Sequence, residues 1–423
     1  MKIHIDIDCF FVSATRIIEP HLEGKTVAIG GRSDTKIFDT SFSKQKVDFQ
    51  NSGNFVPIFY KDYEQEDDDI RNFIDSSGKI RGILTTASYE ARAYGIKTAM
   101  RIDEALQLCP SLIIKAPNMT LYQKLSHQLH EFLMQNIPIV EQASIDEFYG
   151  DLTGWIEDKD VEEFIDILRH RIKKELHLPV SIGASNTKYI AKLATNFAKP
   201  FGSKVIFSNE LEHAISYLQV KDFPGVGKKM MQKFHQSGIY TLGDVLKRKK
   251  RMQTLGPYAL ELYYRISALK DDELKISKPR KSIGISRTID PLYDRMELRR
   301  RVHILVRHLS HAILRLDVYP TVYHFSLRYE MNKKSHVNIS STRLFSEQFF
   351  DTLCMRMLQK TDIYKRLHII RISISCGSFT KDSKKELDLT TYAQAKQERK
   401  LNEVTLKARE KYGLHILKWG SEL

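Results

Sequence analysis

The chain has 423 residues, a length that suits about three domains. Of these, 42% are hydrophobic, which excludes a disordered chain. Its 66 Lys and Arg against 52 Asp and Glu leave a net charge of +14, which points to a polyanionic partner, nucleic acid first and an anionic membrane surface second. The four cysteines (Cys9, Cys109, Cys354, Cys376) are scattered, with no Cys-x-x-Cys spacing, so neither a zinc site nor a disulfide scaffold is indicated. The start, Met1 to Asp6, carries an acid where a secretory signal would be apolar, and no run approaches the roughly 18 apolar residues of a membrane span. A cytoplasmic protein, not attached to a membrane, is the expectation.

In chain order, residues 2–8 alternate: Ile3, Ile5 and Ile7 share one face of a strand, and His4, Asp6 and Asp8 share the other. A helix start follows at Cys9-Phe10-Phe11, so Asp8 reads either as its N-cap or as a ligand beside Asp6. Val27 to Gly31 is a short buried strand. Residues 32–79 are polar and, between Asp62 and Asp69, acidic; they read as a surface insertion, with a partner-binding element as the second reading. Order resumes with a strand at Gly82 to Ala87 and a helix from Ser88 that glycine closes at Gly95. Amphipathic helices are expected over 102–109 and 120–136.

Ala143-Ser144-Ile145-Asp146-Glu147 then sets two adjacent carboxylates in a strand-like context. Alone, such a pair is a solvated turn. Together with Asp6 it supplies what phosphoryl transfer through two divalent cations needs, several carboxylates converging on one point. A helix over 160–176, a strand at 180–184, a helix from Lys188 to Phe197 and a strand at 205–207 complete an α/β or α+β core. Asp222-Phe223-Pro224-Gly225-Val226-Gly227-Lys228-Lys229 reads as a hairpin between two short helices. Its two glycines let backbone N–H groups approach a phosphate, the helix-hairpin-helix grip on a nucleic-acid backbone.

A linker is expected next, and then segment 278–315, which holds ten Lys and Arg against three acids. That density reads as phosphate contact. Alternating strands at 325–329, 337–340 and 370–374 suggest a separate small α/β domain, and 393–412 a mixed-charge helix. A Walker A loop and a zinc-spaced His pair are both missing from the sequence.

Asp6-Ile7-Asp8-Cys9-Phe10-Phe11, Thr86 to Arg92, Ser144-Ile145-Asp146-Glu147 and Ala198-Lys199-Pro200-Phe201-Gly202 occur in an order that resembles the Y-family DNA polymerases, and most closely the bacterial DNA polymerase IV type. The Pro224-Gly225-Val226-Gly227 hairpin and Arg280-Lys281-Ser282-Ile283-Gly284 fit the same pattern. The resemblance covers nearly all of the chain except 32–79. It implies an α+β right-hand polymerase with a palm (1–9 and 118–206), fingers (10–117, carrying the insertion 32–79), a helix-hairpin-helix thumb (207–273), a linker (274–282), an α/β little finger (283–380) and a C-terminal tail (381–423).

The implied activity is DNA-directed DNA synthesis of low fidelity across damaged template bases, with primer-template DNA and dNTP as partners and a monomeric chain. Asp6, Asp146 and Glu147 would hold two Mg2+ ions, with the Ile7 carbonyl adding an oxygen. Thr86, Tyr89, Arg92 and Lys199 match the positions that hold the incoming triphosphate, where a planar Arg fork and a Lys neutralise phosphate charge. Without the resemblance, Arg92 reads first as a plain surface charge. Phe11 matches the ring that excludes a 2′-hydroxyl; the other reading is a core aromatic, as for Phe10.

Some positions depart from the pattern. Ala14-Thr15 stand where many relatives have Val-Glu, Phe148 follows the Asp-Glu in place of a small residue, and Ser88 replaces a common Asn. Leu387 to Tyr392 matches a sliding-clamp peptide poorly, and clamp binding there is an expectation only. The alternatives are a mutasome-type (UmuC-like) Y-family polymerase that needs accessory proteins, and an inactive DNA-binding repair scaffold.

Overall fold

The structure, a computed structural model, describes residues 1–33, 36–38, 46–47, 59–60, 73–75, 78–276, 280–380, 392–418 and 420–422. The acidic stretch 62–69 and most of the clamp-like segment 387–392 lie outside the described residues. The chain divides into two compact units, one of 1–30, 84–100 and 104–278, the other of 31–83, 101–103 and 279–423. No helix among the described residues is long and apolar enough to cross a membrane.

The first unit is built on a five-stranded sheet. Its strands are β1 (Lys2–Ile7), β5 (Ile139–Gln142), β6 (Glu147–Asp151), β7 (Val180–Ser185) and β8 (Ser203–Ile206), in the order β8-β7-β1-β6-β5. Here β2 (Val27–Gly31), β3 (Ile83–Ala87) and β4 (Ile113–Lys115) form a second, three-stranded sheet. β1 runs antiparallel to both neighbours, and its register sets Asp6 opposite Glu147 on one side and Ser181 on the other. The alternation of β1 buries Ile3, Ile5 and Ile7 almost completely.

The polar face of β1 is buried too: His4 is 1% exposed, because helix α6 (Lys188–Ala198) lies across it. Gly183 on β7 makes that approach possible. A Cβ there would stand 2.2 Å from the Ala191 carbonyl oxygen and 2.3 Å from the Thr195 nitrogen, so only glycine lets α6 lie this low.

Short helices follow in this unit, α7 (Leu211–Ile215), α8 (Lys228–His235), α9 (Leu242–Lys247), α10 (Lys249–Thr254) and α11 (Pro257–Ile266), around a core that includes Phe223, Phe234 and Leu262. The chain after α11 stays fastened to this unit. The Lys188 nitrogen donates to Asp271 at 3.2 Å, the Arg265 guanidinium to Asp272 at 3.2 Å, and the Lys275 nitrogen to the buried Glu141 at 2.9 Å. The expected linker is thus anchored at its start, through Lys275, rather than loose there.

The second unit is a four-stranded antiparallel sheet of β9 (Ser282–Leu292), β10 (Tyr319–Tyr329), β11 (Lys334–Ser340) and β12 (Ile369–Thr380), in the order β9-β12-β10-β11. Helices α12 (Arg295–Arg315) and α13 (Glu347–Thr361) cover one face. The opposite face presents Ser282, Gly284, Ser286 and Thr288 of β9, Arg371, Ser373 and Ser375 of β12, and His324, Ser326 and Arg328 of β10. It is small, hydroxyl-rich and cationic.

The structure adds to two expectations. The basic segment 278–315 was read as phosphate contact, and several of its arginines are also paired with carboxylates of the protein itself. Arg307 is 4% exposed and holds Glu422 through Nε at 2.8 Å, Arg295 holds Asp362, and Arg300 and Arg301 both hold Glu297. Charge density along a helix does not show which side of it is covered. The insertion was read as surface, yet Ile37 and Phe38 are buried in the core under α12, with Arg301 stacked over the Phe38 ring at 5.0 Å and Arg32 paired to Asp290 at 2.8 Å. An adjacent apolar pair such as Ile37-Phe38 has no period to mark it as core.

The C-terminal helix α14 (Tyr392–Tyr412) is part of the same body. Its Arg409 is 5% exposed and grips Glu347 of α13 through both terminal nitrogens, at 2.6 and 3.0 Å, and its Glu398 accepts from Ser346 and Arg343. Removing one member of such a pair leaves a buried charge alone. Glu347→Ala is therefore expected to destabilise the second unit by about 3–5 kcal/mol, read as faster amide exchange throughout α12 and α13 in the full chain.

His308 and His311 of α12 are each 7% exposed. Burial, with the nearby arginine charges, holds His311 down at about 4 and His308 well below the usual imidazole range. Unfolding would return both to about 6.5, so the unfolded chain binds more protons below that pH. Stability present at pH 7 is then lost as pH falls from 6.5 toward 4, by about 2 kcal/mol at pH 5 for His311 alone. His311→Gln should flatten that slope when amide exchange in α12 is compared at pH 7 and pH 5.

Candidate active site

Asp6 ends the polar face of β1, and the register brings Glu147, the first residue of β6, directly opposite. Asp146 precedes it in a tight bend that closes with the Ile7 nitrogen donating to the Asp146 carbonyl at 3.0 Å. Ser144 organises the bend. Its hydroxyl donates to Asp146 Oδ1 at 2.6 Å, while its oxygen accepts the Glu147 nitrogen at 3.0 Å. Three carboxylates and the Ile7 backbone therefore share the edge where two strands meet.

Burial raises Asp6 to about 6 against the pull of Lys199, with the Glu147 and Asp146 charges adding to the rise. Asp146 is also raised, chiefly by burial. Glu147 goes the other way: burial would raise it, but His4 and Lys192 overrule and hold it at about 2. Lys199 Nζ lies 2.6 Å from Asp6 Oδ1, and Lys192 Nζ lies 2.6 Å from Glu147 Oε2. Lys192 was missed in the sequence; its place four residues after Lys188 on the α6 face that meets the sheet was the available signal.

Among the described residues no three His, Cys, Asp or Glu side chains are gathered tightly enough to ligate one ion. Asp6 and Glu147 instead each hold an ammonium. The donor set is nonetheless one of hard oxygens, with three carboxylates against two lysines, and that suits a hard divalent cation.

Asp8 is neither helix cap nor ligand in this arrangement. Helix α1 (Phe10–Ile18) has no side-chain cap, and Asp8, 2% exposed, spends both oxygens elsewhere. Its Oδ1 accepts the Tyr89 hydroxyl at 2.9 Å, and its Oδ2 accepts Ser181 and the Phe201 nitrogen, each at 2.8 Å. It ties β1, β7, the loop after Lys199 and Tyr89 together, a role that no local pattern announces.

The remaining residues singled out in the sequence sit on the elements around this edge. Thr86 is buried on β3. Ser88 caps the short helix α2 (Tyr89–Ala93), its oxygen accepting the Ala91 nitrogen at 3.2 Å. Arg92 is exposed, with its guanidinium 5.0 Å from the Tyr89 ring centroid and its Nε donating to the Ala87 carbonyl at 3.1 Å. The i, i+3 spacing thus aligns Tyr89 and Arg92 as expected on one helix. Phe11 is half-buried and stacks on Tyr122, centroids 4.3 Å apart and planes 10° apart, while Phe10 is buried. The hairpin before α8 places Gly225 at φ +96, a conformation that favours glycine, and leaves open space where a Gly227 Cβ would stand.

Residues 5–196 match the impB/mucB/samB family. The chain is 30% identical over 331 residues to the DNA polymerase IV of Lactococcus lactis subsp. cremoris, an alignment that covers 77% of this chain and 79% of that one. It is 27% identical over 428 residues to the DNA polymerase IV of Oceanobacillus iheyensis, covering 98% and 90%. Among solved structures, a chimera of the Y-family DNA polymerases Dbh and Dpo4 superposes with a TM-score of 0.70 at 21% identity, over 89% of this chain and 98% of that one. The insertion ternary complex of Dbh DNA polymerase gives 0.58 at 20% identity, with the same coverage. The chain belongs to the Y-family of DNA polymerases, in its DNA polymerase IV group. The family depends on a divalent metal cofactor.

Asp8→Ala removes a buried charged acceptor from three donors. The expected result is a loss of stability of about 2–4 kcal/mol in chemical denaturation, with the affinity for divalent ions unchanged in whatever protein remains folded.

Proposed function

We propose that Asp6, Asp146 and Glu147, with the Ile7 carbonyl, hold two Mg2+ ions, and that the chain joins dNTPs to a primer 3′ end on a DNA template. As a Y-family member the chain is a DNA-directed DNA polymerase that carries out translesion synthesis. The observation that carries the metal assignment is the register of β1 against β6, which sets Asp6 opposite Glu147 with Asp146 beside them. Bound magnesium would supply Lewis-acid polarisation of the attacking and leaving oxygens.

The chain's own residues do the rest. Asp6 has to be ionised to serve as a ligand, and Lys199, 2.6 Å away, favours that form. Arg92 and Tyr89 project from one turn of α2, beside buried Thr86, and Lys199 follows α6. Together they form a cationic and hydroxyl-bearing grip for a triphosphate. The flat stack of Phe11 on Tyr122 fixes that ring in one orientation, which suits it to block a 2′-hydroxyl on the incoming sugar.

Two features support a DNA grip. Gly225 and Gly227 expose backbone N–H groups before α8, and that hairpin fits a helix-hairpin-helix hold on a phosphate backbone. The open face of the β9-β12-β10-β11 sheet, with its small hydroxyls and Arg328 and Arg371, suits a DNA groove better than the largely paired arginines of α12.

Primer extension by the purified chain with Mg2+ and dNTPs, on intact and abasic templates, tests this reading. Extension should be seen with the parent chain and fall about a thousandfold or more in Asp146→Ala and Glu147→Ala, the equivalent of roughly 4 kcal/mol of transition-state stabilisation. Full activity in either variant would remove that residue from the site. Phe11→Ala should raise incorporation of ribonucleotides relative to deoxynucleotides while leaving DNA binding intact; an unchanged ratio would return Phe11 to the core.

A further inference from the structure

His4 lies on β1 two residues before Asp6, and the cluster of carboxylates leaves it without a stated task. Its ring is buried, 1% exposed, and packs against Tyr149 with centroids 4.7 Å apart. Its two nitrogens face different groups. Nδ1 is 2.9 Å from the Thr195 hydroxyl of α6. Nε2 has no hydrogen-bond partner and stands 3.9 Å from Glu147 Oε2. An unpartnered buried ring nitrogen aimed at a carboxylate calls for an explanation.

The Thr195 oxygen fixes which nitrogen carries the proton. The hydroxyl has one hydrogen and three acceptors within reach: the His4 carbonyl at 3.1 Å, the Ala191 carbonyl at 3.0 Å and His4 Nδ1. If it served a carbonyl, Nδ1 would have to donate to it, and Nε2 would point a lone pair at the Glu147 carboxylate inside a buried site. If it donates to Nδ1, Nε2 carries the hydrogen and faces an acceptor. The second arrangement turns a donor rather than a lone pair toward the carboxylate. The 3.9 Å gap is longer than a hydrogen bond, but active-site hydrogen bonds commonly tighten when ligands assemble.

We infer that His4, with its tautomer set by Thr195, is a positioning residue that orients the Glu147 carboxylate by donating from Nε2, so that Glu147 offers its oxygens to the metal site in a fixed plane. Lys192 holds Oε2 from another side, at 2.6 Å. A flexible lysine gives charge without direction, whereas a ring packed on Tyr149 and pinned by Thr195 gives direction. The glycine at 183 belongs to the same device, because it admits α6 close enough for Thr195 to reach the ring. Partners of this kind behind a ligand characteristically change metal affinity by 10–100-fold.

This inference rests on the metal reading proposed above, and the test separates the two. Mn2+ binding is measured by electron paramagnetic resonance on the full chain bound to primer-template DNA with a dideoxy-terminated primer and the matching dNTP, so that no turnover occurs. His4→Phe keeps the ring and its packing but loses both nitrogens. It should weaken Mn2+ binding about 10–100-fold, with DNA affinity unchanged. His4→Gln restores an N–H near the Nε2 position and should recover affinity to within about threefold of the parent. Thr195→Val, which releases the tautomer, should weaken binding in the same direction as His4→Phe and decides the matter should that variant fold poorly.

Parental Mn2+ affinity in His4→Phe, or a His4→Gln as weak as His4→Phe, would overturn the inference, the latter by showing that ring packing alone matters. Asp146→Ala is the control for the underlying reading. A loss there without a loss in His4→Phe sinks the inference alone, and no loss in Asp146→Ala sinks the metal site itself.

Discussion

Two carboxylates stand opposite each other across one pair of antiparallel strands, and much of the first unit follows from that. Like charges directly opposite in a sheet are destabilising, and Asp6 and Glu147 are also largely covered. The chain tolerates them because α6 and the residue after it bring Lys192 and Lys199 to 2.6 Å from one carboxylate each. That requires α6 to lie close on the sheet, which requires a glycine at 183. The same closeness buries His4 and brings Thr195 to it. A sheet built for stability alone would place an apolar pair here; the cost is accepted where charge is to be gathered for chemistry.

Much of this arrangement can be read from the chain because it is local. Ile3, Ile5 and Ile7 alternating with His4 and Asp6 specify a strand and put both polar groups on one face. Asp146-Glu147 stands out as a pair, and the helix periods of 119–136 and 161–176 mark the segments between. The small hydroxyl and glycine positions of β9 and β12 alternate in the same way.

What could not be read depends on long-range packing. Asp8 looks like a cap from its neighbours, but its three donors come from Tyr89, Ser181 and Phe201, the last two more than 170 residues away. The arginines of 295–307 look like a phosphate surface until their partners Glu297, Asp362 and Glu422 are in place, one at the far end of the chain. Ile37 and Phe38 join a core whose other members begin some 245 residues later. The second unit is thus closed by segments from both directions, the start of the insertion and the C-terminal helix. Its buried Arg409–Glu347 and Arg307–Glu422 pairs give those contacts a geometry that apolar packing alone would not specify.

The central claim is that Asp6, Asp146 and Glu147 together form one two-ion site. Its most direct test is anomalous diffraction from crystals of the chain with Mn2+, a dideoxy-terminated primer-template and the matching dNTP. The account predicts two anomalous peaks about 3.5–4 Å apart, each within coordination distance of at least one of the three carboxylates. A single peak, or peaks that none of the three carboxylates approaches, would contradict it.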